Sequence, residues 1–280
     1  MAWTFSTDPD VFAASAGDLL LTDPVRNTFS AVGMERWAVE GAPEGSFFGW
    51  WADAAETVKG AASMNPPWPL LLDETPEKCL PSLVDALLSD ERAVTGVNAA
   101  VPLAATFAAM WTARTASSAR LFMVTRLFEL GVLNPPRHAV TGAARLADEG
   151  DLDLLVSWMS AFLEDLHEPA HDAEDSMRAR LRTGEVWLWH DASGDPVSMV
   201  GRTPAAAGVA RVGPVYTPRA RRGCGYAEAL THVLCTQAQA QGVRLVLFAD
   251  QANPTSTGIY RSLGFRPVQD RMALRFVSAP

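Results

Sequence analysis

Two stretches of this chain carry the same order of sequence features. Residues 45–76 and 184–218 both begin with glycine, continue into an aromatic-rich segment and end in an apolar run closed by Thr-Pro. Trp50 and Trp189 lie at the same offset within the two stretches. Apolar segments separated by polar turns predict strand, turn, strand, loop, strand in each copy. This repeat restricts the fold strongly, because it predicts two related domains in one chain.

The boundary between the two domains is expected near residues 133–142, where two consecutive prolines interrupt the pattern. We therefore predict an N-terminal domain at residues 1–136 and a C-terminal domain at residues 137–280. The copies diverge after the shared Thr-Pro. The first continues as EKCLPSLVDALL, without glycine and with an acid at the front, whereas the second continues with arginines and glycines. The first copy is accordingly expected to have lost a binding turn that the second retains.

The C-terminal half alternates segments of helical and strand periodicity, which predicts a mixed α/β fold. Helices are expected at residues 151–166, 173–181 and 227–241, with a short one beginning at Pro254. Strands are expected at residues 138–146, 186–189, 197–201, 209–216 and 243–249, followed by a closing strand pair from residue 265.

Composition narrows the function classes. The 280-residue chain has a formal net charge of −9, which argues against general nucleic-acid binding. Its longest charge-free apolar run, residues 99–111, is too short to cross a bilayer, and the N-terminus shows no basic leader. Cys79, Cys224 and Cys235 have no metal-ligand spacing. A reduced, cytoplasmic location without a membrane partner is expected.

Positive charge is concentrated in one zone. Residues 196–227 contain five arginines and no acid, and within them RRGCG directly precedes a predicted helix. Glycines allow backbone N–H groups to surround an anion, and the helix adds its free N–H groups and the positive end of its dipole. The turn therefore predicts a phosphate site. It is neither a Walker loop nor a dinucleotide fingerprint, because Gly-Lys-Ser/Thr and the acidic ribose partner are both missing.

The motif RGCGYA fits Arg-x-x-Gly-x-Ala at Arg222, Gly225 and Ala227, and it follows a strand ending in GPVYTP. Downstream, Asn253 precedes Tyr260 by seven residues. This ordered set, over residues 141–277, resembles the GNAT superfamily of acyl-CoA-dependent N-acyltransferases. The resemblance implies an α/β fold (α+β, mixed sheet) of the GNAT-like acyltransferase type, with two tandem domains and a degenerate N-terminal copy.

The resemblance also implies site residues. The backbone of Val215, Tyr216 and Thr217 is expected to pair with the pantetheine arm of the cofactor. The amides expected to hold its pyrophosphate are those of Gly223, Cys224, Gly225, Tyr226, Ala227 and Glu228. Arg222 occupies the first position of the motif, and Arg219 and Arg221 are expected near the nucleotide's 3′-phosphate. Asn253 is expected to bind the amide arm of the cofactor. Tyr260 is expected to be the general acid that protonates the departing thiolate.

The implied activity is transfer of the acetyl group of acetyl-CoA directly to a primary amine, through a ternary complex and without a metal. The acceptor is expected to be a small-molecule or peptide amine. Four acids are candidates for the general base: Asp250, Glu164, Asp165 and Glu168. An acyl-CoA sensor without turnover, and transfer of larger acyl groups, remain open. The N-terminal half is expected to shape the acceptor pocket, cover the cleft or form a homodimer contact.

Two other patterns have simpler explanations. HEPAH at residues 167–171 matches the zinc-protease motif, but Pro169 interrupts the continuous helix that the two histidines would need. Cys224 has no histidine beside it in sequence, so we interpret it as a small loop residue and not as a nucleophile.

Overall fold

The computed structural model describes residues 2–166, 168 and 173–278. The chain divides into two compact units that are not two consecutive halves. The first unit comprises residues 1–127, 248–253 and 267–280, and the second comprises residues 128–247 and 254–266. Each unit therefore contains segments from both sequence copies. The predicted domain boundary between residues 136 and 137 concerns the two sequence copies and stays a prediction.

The first copy begins with a strand and two helices, and three consecutive strands and an α/β alternation follow. Its elements are β1 (Ala2–Ser6), α1 (Pro9–Leu21), α2 (Thr28–Glu40), β2 (Phe47–Ala52), β3 (Val58–Met64), β4 (Leu70–Asp73), a 3₁₀ turn (Glu77–Cys79), α3 (Leu80–Ser89), β5 (Gly96–Ala100), α4 (Val101–Arg114) and β6 (Ser117–Leu130).

The second copy repeats this order and adds one 3₁₀ turn (Glu149–Asp151) after its first strand. Its elements are β7 (Ala143–Leu146), α5 (Leu152–Asp165), α6 (Ala173–Arg182), β8 (Val186–His190), β9 (Pro196–Arg202), β10 (Val209–Tyr216), a 3₁₀ turn (Arg219–Arg221), α7 (Tyr226–Ala240), β11 (Arg244–Asp250), α8 (Pro254–Ser262) and β12 (Phe265–Ser278). The expected repeat of strand, turn, strand, loop, strand is present in both copies.

In the first unit, β1 to β4 form consecutive antiparallel pairs and β4 then pairs with β5 in parallel. The neighbour of β5 on its other side is β12, the last strand of the second copy. Leu274 of β12 belongs to the same apolar core as Leu83, Val97 and Phe107. The C-terminal strand of the chain is therefore a structural part of the first unit.

In the second unit, β7, β8, β9 and β10 form consecutive antiparallel pairs, and β11 adds in parallel to β10. The core under α5 and α6 contains Leu155, Trp158, Met177, Leu188 and Met199. Helix α7 packs against β8, β9 and β10. This packing fixes the positions of the N-terminus of α7 and of the turn that precedes it.

Two predicted elements differ from the structure. The strand expected at residues 138–146 is limited to β7, and Gly142 before it has a φ of +120°, which interrupts regular strand geometry. The closing strand pair is one 14-residue strand, β12, because its long apolar-polar alternation pairs in register with β5. Within the described part of the chain, no helix has both the length and the apolar character needed to cross a membrane.

Candidate functional site

Strand β10 separates from β11 before it reaches the arginine-glycine turn. The two strands pair at three positions, the last of which joins Arg211 to Val246. On its other side β10 continues beside β9, where Val215 lies opposite Val200 and Tyr216 opposite Met199. Between the described strands, the edge of β10 that faced β11 therefore has no strand partner at its C-terminal end. This is the geometry that the expected pairing of Val215, Tyr216 and Thr217 requires.

The end of β10 is held from the side of β9. The Ser198 hydroxyl lies 3.1 Å from the Tyr216 carbonyl oxygen, to which it donates, and 2.8 Å from Thr217 Oγ1. The Tyr216 ring contacts the ring of Trp158 at a centroid distance of 6.1 Å. These contacts fix the strand end while leaving the amides on its opposite edge without a strand partner.

The turn after β10 presents a run of free amides. Gly223 and Gly225 have φ values of +79° and +84°, a conformation that glycine adopts without a steric penalty. The first helical bond of α7 runs from the Ala229 N–H to the Gly225 carbonyl. Among the described residues, no protein group accepts a hydrogen bond from the backbone N–H groups of residues 223–228. Six consecutive N–H groups at a helix N-terminus are suited to a diphosphate.

Space around the turn differs between its two glycines. A Cβ at Gly223 would meet nothing within 4 Å, whereas a Cβ at Gly225 would lie 3.0 Å from Val140 Cγ1. Gly225 is therefore required both by its backbone conformation and by the close approach of Val140. The motif in the sequence predicts the glycine, whereas only the fold shows that Val140 lies beside it.

The Glu228 side chain connects the first turn of α7 to two other segments of the second unit. Its carboxylate accepts from the Arg137 guanidinium at 3.1 and 3.2 Å and from the Ser262 hydroxyl at 2.8 Å. Burial opposes ionisation of Glu228, but the bonds from Arg137 and Ser262 outweigh it and lower its pKa. Ser262 ends α8, so this carboxylate attaches the helix that carries Tyr260 to the amide turn. The motif in the sequence predicts a role only for the Glu228 amide, not for its side chain.

Tyr260 lies on α8 with its ring against Phe265, at a centroid distance of 5.9 Å and in edge-to-face geometry. Burial, and secondarily the nearby Cys235 thiol, raise the pKa of Tyr260 to about 12. Burial also raises the pKa of Cys235 to about 12. Both groups are therefore protonated near neutral pH, and the phenol has a proton to donate.

The arginines of the turn have carboxylate partners. Arg219 and Arg222 both donate to Asp165, at 2.8 and 2.6 Å, and Arg221 lies 3.5 Å from an oxygen of Asp191. The zone that contains no acid in sequence is thus supplied with acids by other segments. The expected contact of Arg219 and Arg221 with a 3′-phosphate stays a prediction, and these carboxylates compete with it.

The candidate bases have different surroundings. Hydrogen bonds from Arg219 and then Arg222 lower the pKa of Asp165, so its carboxylate is a weak base.

The other candidate bases and Asn253 lie in several segments. Asp250 accepts from the Ala252 amide at 2.9 Å and belongs, with Asn253, to the segment 248–253 of the first unit. Glu164 is exposed, and Glu168 donates its amide to the Leu163 carbonyl. Asn253 donates its amide to the Asp250 carbonyl at 3.0 Å, and its role with the cofactor stays a prediction.

In the first unit, a side chain occupies the corresponding position. Strands β4 and β5 pair in parallel at Leu70 with Val97 and at Leu71 with Asn98. Just beyond, the Arg271 guanidinium donates to the carbonyls of Leu72 and Asn98, at 3.5 and 3.1 Å. The side chain thus bridges the two strands where they separate, and it fills the position at which β10 and β11 are apart in the second unit. No feature of the two sequence copies predicts this role of Arg271.

Metal ligands are not clustered in the described residues: no group of three or more His, Cys, Asp or Glu side chains could hold a metal ion. His167, Pro169 and His171 of the HEPAH motif lie outside the described residues. Cys224 is an exposed free thiol whose Sγ lies 3.8 Å from the Arg222 carbonyl oxygen.

Comparison with known proteins gives one family match. Residues 152–265 match the acetyltransferase (GNAT) family. The sequence has no significant match among curated proteins.

Among solved structures, a GCN5-related N-acetyltransferase from Sphaerobacter thermophilus is similar with a TM-score of 0.67, 14% identity and coverage of 98% of this chain and 95% of that one. A GNAT-family acetyltransferase from Colwellia psychrerythraea has a TM-score of 0.62 and 11% identity over 99% of each chain. A tandem GNAT protein from the clavulanic acid biosynthesis pathway has a TM-score of 0.57 and 15% identity, again over 99% of each chain. At these low sequence identities, the similarity shows a shared fold and nothing further. The aligned regions include both sequence copies of this chain.

Proposed function

Because residues 152–265 of this chain belong to the acetyltransferase (GNAT) family, we propose that the protein transfers the acetyl group of acetyl-CoA directly to a primary amine of a small-molecule or peptide acceptor. The reaction takes place in a ternary complex and uses no metal. The second sequence copy carries the chemistry. The proposal includes the cytoplasmic setting expected from the sequence.

The observation that carries the proposal is the run of amides at residues 223–228, none of which bonds a protein acceptor within the described residues. These amides would hold the pyrophosphate of the cofactor, with the positive end of the α7 dipole behind them. The free edge of β10 at Val215, Tyr216 and Thr217 would pair with the pantetheine arm as an added strand does. The predicted contact of Asn253 with the amide arm is kept as part of the proposal. Bound acetyl-CoA supplies an activated thioester carbonyl.

Tyr260 is the proposed general acid. Attack of a neutral amine on the thioester carbonyl forms the C–N bond, and the C–S bond breaks to leave a thiolate. The proton that the nitrogen loses to become an amide passes to a base or to water. The Tyr260 phenol, whose pKa burial raises to about 12, is protonated at neutral pH and donates its proton to that thiolate. The bond between Ser262 and Glu228 holds α8 against the amide turn and so positions the phenol.

The test is release of free thiol from acetyl-CoA in the presence of a panel of small amines and peptides, together with calorimetric titration with CoA. We expect CoA binding and amine-dependent thiol release. If CoA fails to bind at millimolar concentration to folded protein, the proposal is wrong.

An acyl-CoA sensor remains the second candidate. It shares the amide turn and differs in having no turnover. The half-buried, protonated phenol of Tyr260 favours catalysis, because a sensor has no need of a proton donor near the thioester. Micromolar CoA binding without acetyl transfer to any amine in the panel would favour the sensor.

A further inference from the structure

One carboxylate binds two arginines that directly precede the amide turn. Asp165 is the last residue of α5, and its two oxygens accept from different side chains: Oδ1 from Arg219 Nη2 at 2.8 Å and Oδ2 from Arg222 Nη2 at 2.6 Å. These bonds lower the pKa of Asp165, so the group is a carboxylate at neutral pH.

The two arginines are held to different degrees. Arg222 also donates through Nε to the Thr217 carbonyl at 2.9 Å, and its guanidinium lies over the Tyr216 ring, 5.7 Å from the centroid. Arg219 has 78% of its side chain exposed, and Asp165 is its one hydrogen-bond acceptor among the described residues. Arg222 is therefore part of the framework of the turn, whereas Arg219 is free to exchange one anion for another.

We infer that Asp165 is an internal competitor for the phosphate groups of the cofactor. Without cofactor, its carboxylate occupies Arg219 and Arg222; on binding, a phosphate takes over Arg219, and Asp165 keeps Arg222. This inference rests on the proposed function. It concerns how tightly the site binds its cofactor, and it assigns to Asp165 a role opposite to that of a cofactor-binding residue.

The direction of the effect follows from electrostatics. A CoA molecule brings several negative charges to the turn, and Asp165 both repels them and holds their arginine partner. The effect is modest because the ion pair with Arg219 is exposed, and such pairs contribute little in water. Removal of the charge at residue 165 should accordingly tighten CoA binding by about three- to tenfold.

The test is calorimetric titration of the full chain with CoA, in the wild type and in Asp165→Asn. Glu164→Gln is the matched control, because it removes one negative charge from the preceding residue, which forms no ion pair among the described residues. We expect Asp165→Asn to bind CoA about three- to tenfold more tightly and Glu164→Gln to change affinity by less than about twofold. Circular dichroism checks that both variants are folded.

Unchanged or weaker CoA binding by Asp165→Asn would overturn the inference, since Asp165 would then stabilise the turn and not compete with the cofactor. The proposed function would be unaffected by this result. An equal gain in both variants would also overturn the inference, because the cause would then be net charge alone. Absence of CoA binding to the folded wild type would overturn both proposals.

A second pair of variants tests the part assigned to Arg219. Arg219→Gln should weaken CoA binding, and adding Asp165→Asn to it should then change affinity by less than about twofold, because the exchangeable partner is gone. A full-sized gain in the Arg219→Gln background would contradict the role of Arg219 as the residue that changes partner.

Discussion

Arg271 and Asp73 form an ion pair in the interior of the first unit, with Arg271 Nη1 2.9 Å from Asp73 Oδ1 and the two side chains 3% and 1% exposed. Ser30 donates to the second Asp73 oxygen at 2.7 Å, and Arg271 Nε donates to Asn98 Oδ1 at 3.1 Å. Both charged groups are thus paired and hydrogen-bonded at the place where β4 and β5 of the first copy separate. A strand from the end of the chain supplies the arginine, so the first copy is closed by the last strand of the second.

Removing one partner of this pair should be costly. We expect Asp73→Asn to lower the free energy of unfolding by roughly 3–5 kcal/mol, because it leaves the Arg271 guanidinium buried without a counter-charge. The control is Asp85→Asn, which breaks the exposed pair with Arg114 in the same unit and should cost less than about 1 kcal/mol. Urea unfolding followed by circular dichroism measures both. Equal costs for the two variants would mean that burial of the pair is not what matters.

Tyr260→Phe should lower kcat for acetyl transfer by about 10²- to 10⁴-fold, because it removes the proposed proton donor and retains the ring against Phe265. The CoA dissociation constant of the same variant should stay within about twofold of the wild-type value. Thiol release and calorimetry give the two quantities. Full turnover in this variant, with normal CoA binding, would exclude Tyr260 as the general acid.

Stability at alkaline pH should report the surroundings of Tyr260. The phenol has a pKa of about 12 in the folded chain, against a usual value of 10.0, so the folded state holds its proton more tightly. The contribution of this phenol to the free energy of unfolding is fully present below pH 10 and is lost as the pH rises toward 12. This contribution amounts to roughly 2–3 kcal/mol.

Urea unfolding between pH 9 and 12 should therefore show a smaller decline in Tyr260→Phe than in the wild type. Burial likewise raises the pKa of Cys79 to about 11 and that of Cys235 to about 12, so a residual decline is expected in the variant. Identical curves for the two proteins would place the phenol in water.

Gly225→Ala and Gly194→Ala form a matched pair, because both glycines have a φ of +84°. Each substitution carries the backbone penalty of about 1 kcal/mol. At Gly225 the new Cβ also lies 3.0 Å from Val140, whereas at Gly194 it meets nothing within 4 Å. We expect the Gly225 variant to bind CoA at least about tenfold more weakly, because the amides of the turn must shift. Calorimetry should find the affinity of the Gly194 variant unchanged. Comparable losses in both would exclude a specific role for the turn.

The order of elements could be predicted from sequence because it depends on local periodicity and turn residues. The three central strands of each copy, and helices α5, α6, α7 and α8, lie within a few residues of their expected positions. The shared Thr-Pro and the contrast between EKCLPSLVDALL and the arginine-glycine turn predicted which copy carries the glycine turn. These features are short-range, and glycine, proline and helical spacing report them directly.

The neighbouring strands of β12 could not be predicted from sequence. Its alternating pattern indicates a strand, but it does not indicate which strand pairs with it. Only the folded chain places Arg271 between β4 and β5, with Asp73 and Asn98 distant from it in sequence. The acids that pair with Arg219, Arg221 and Arg222 likewise arrive from other segments.

The sequence by itself determined the repeated order of elements and the glycine turn with its free amides, since backbone conformation and helix ends are local properties. Tertiary structure alone decided which opening stays accessible and which is filled, and which carboxylates face the arginines. Charge pairing and burial act between residues that the fold brings together, and no local pattern encodes such distances.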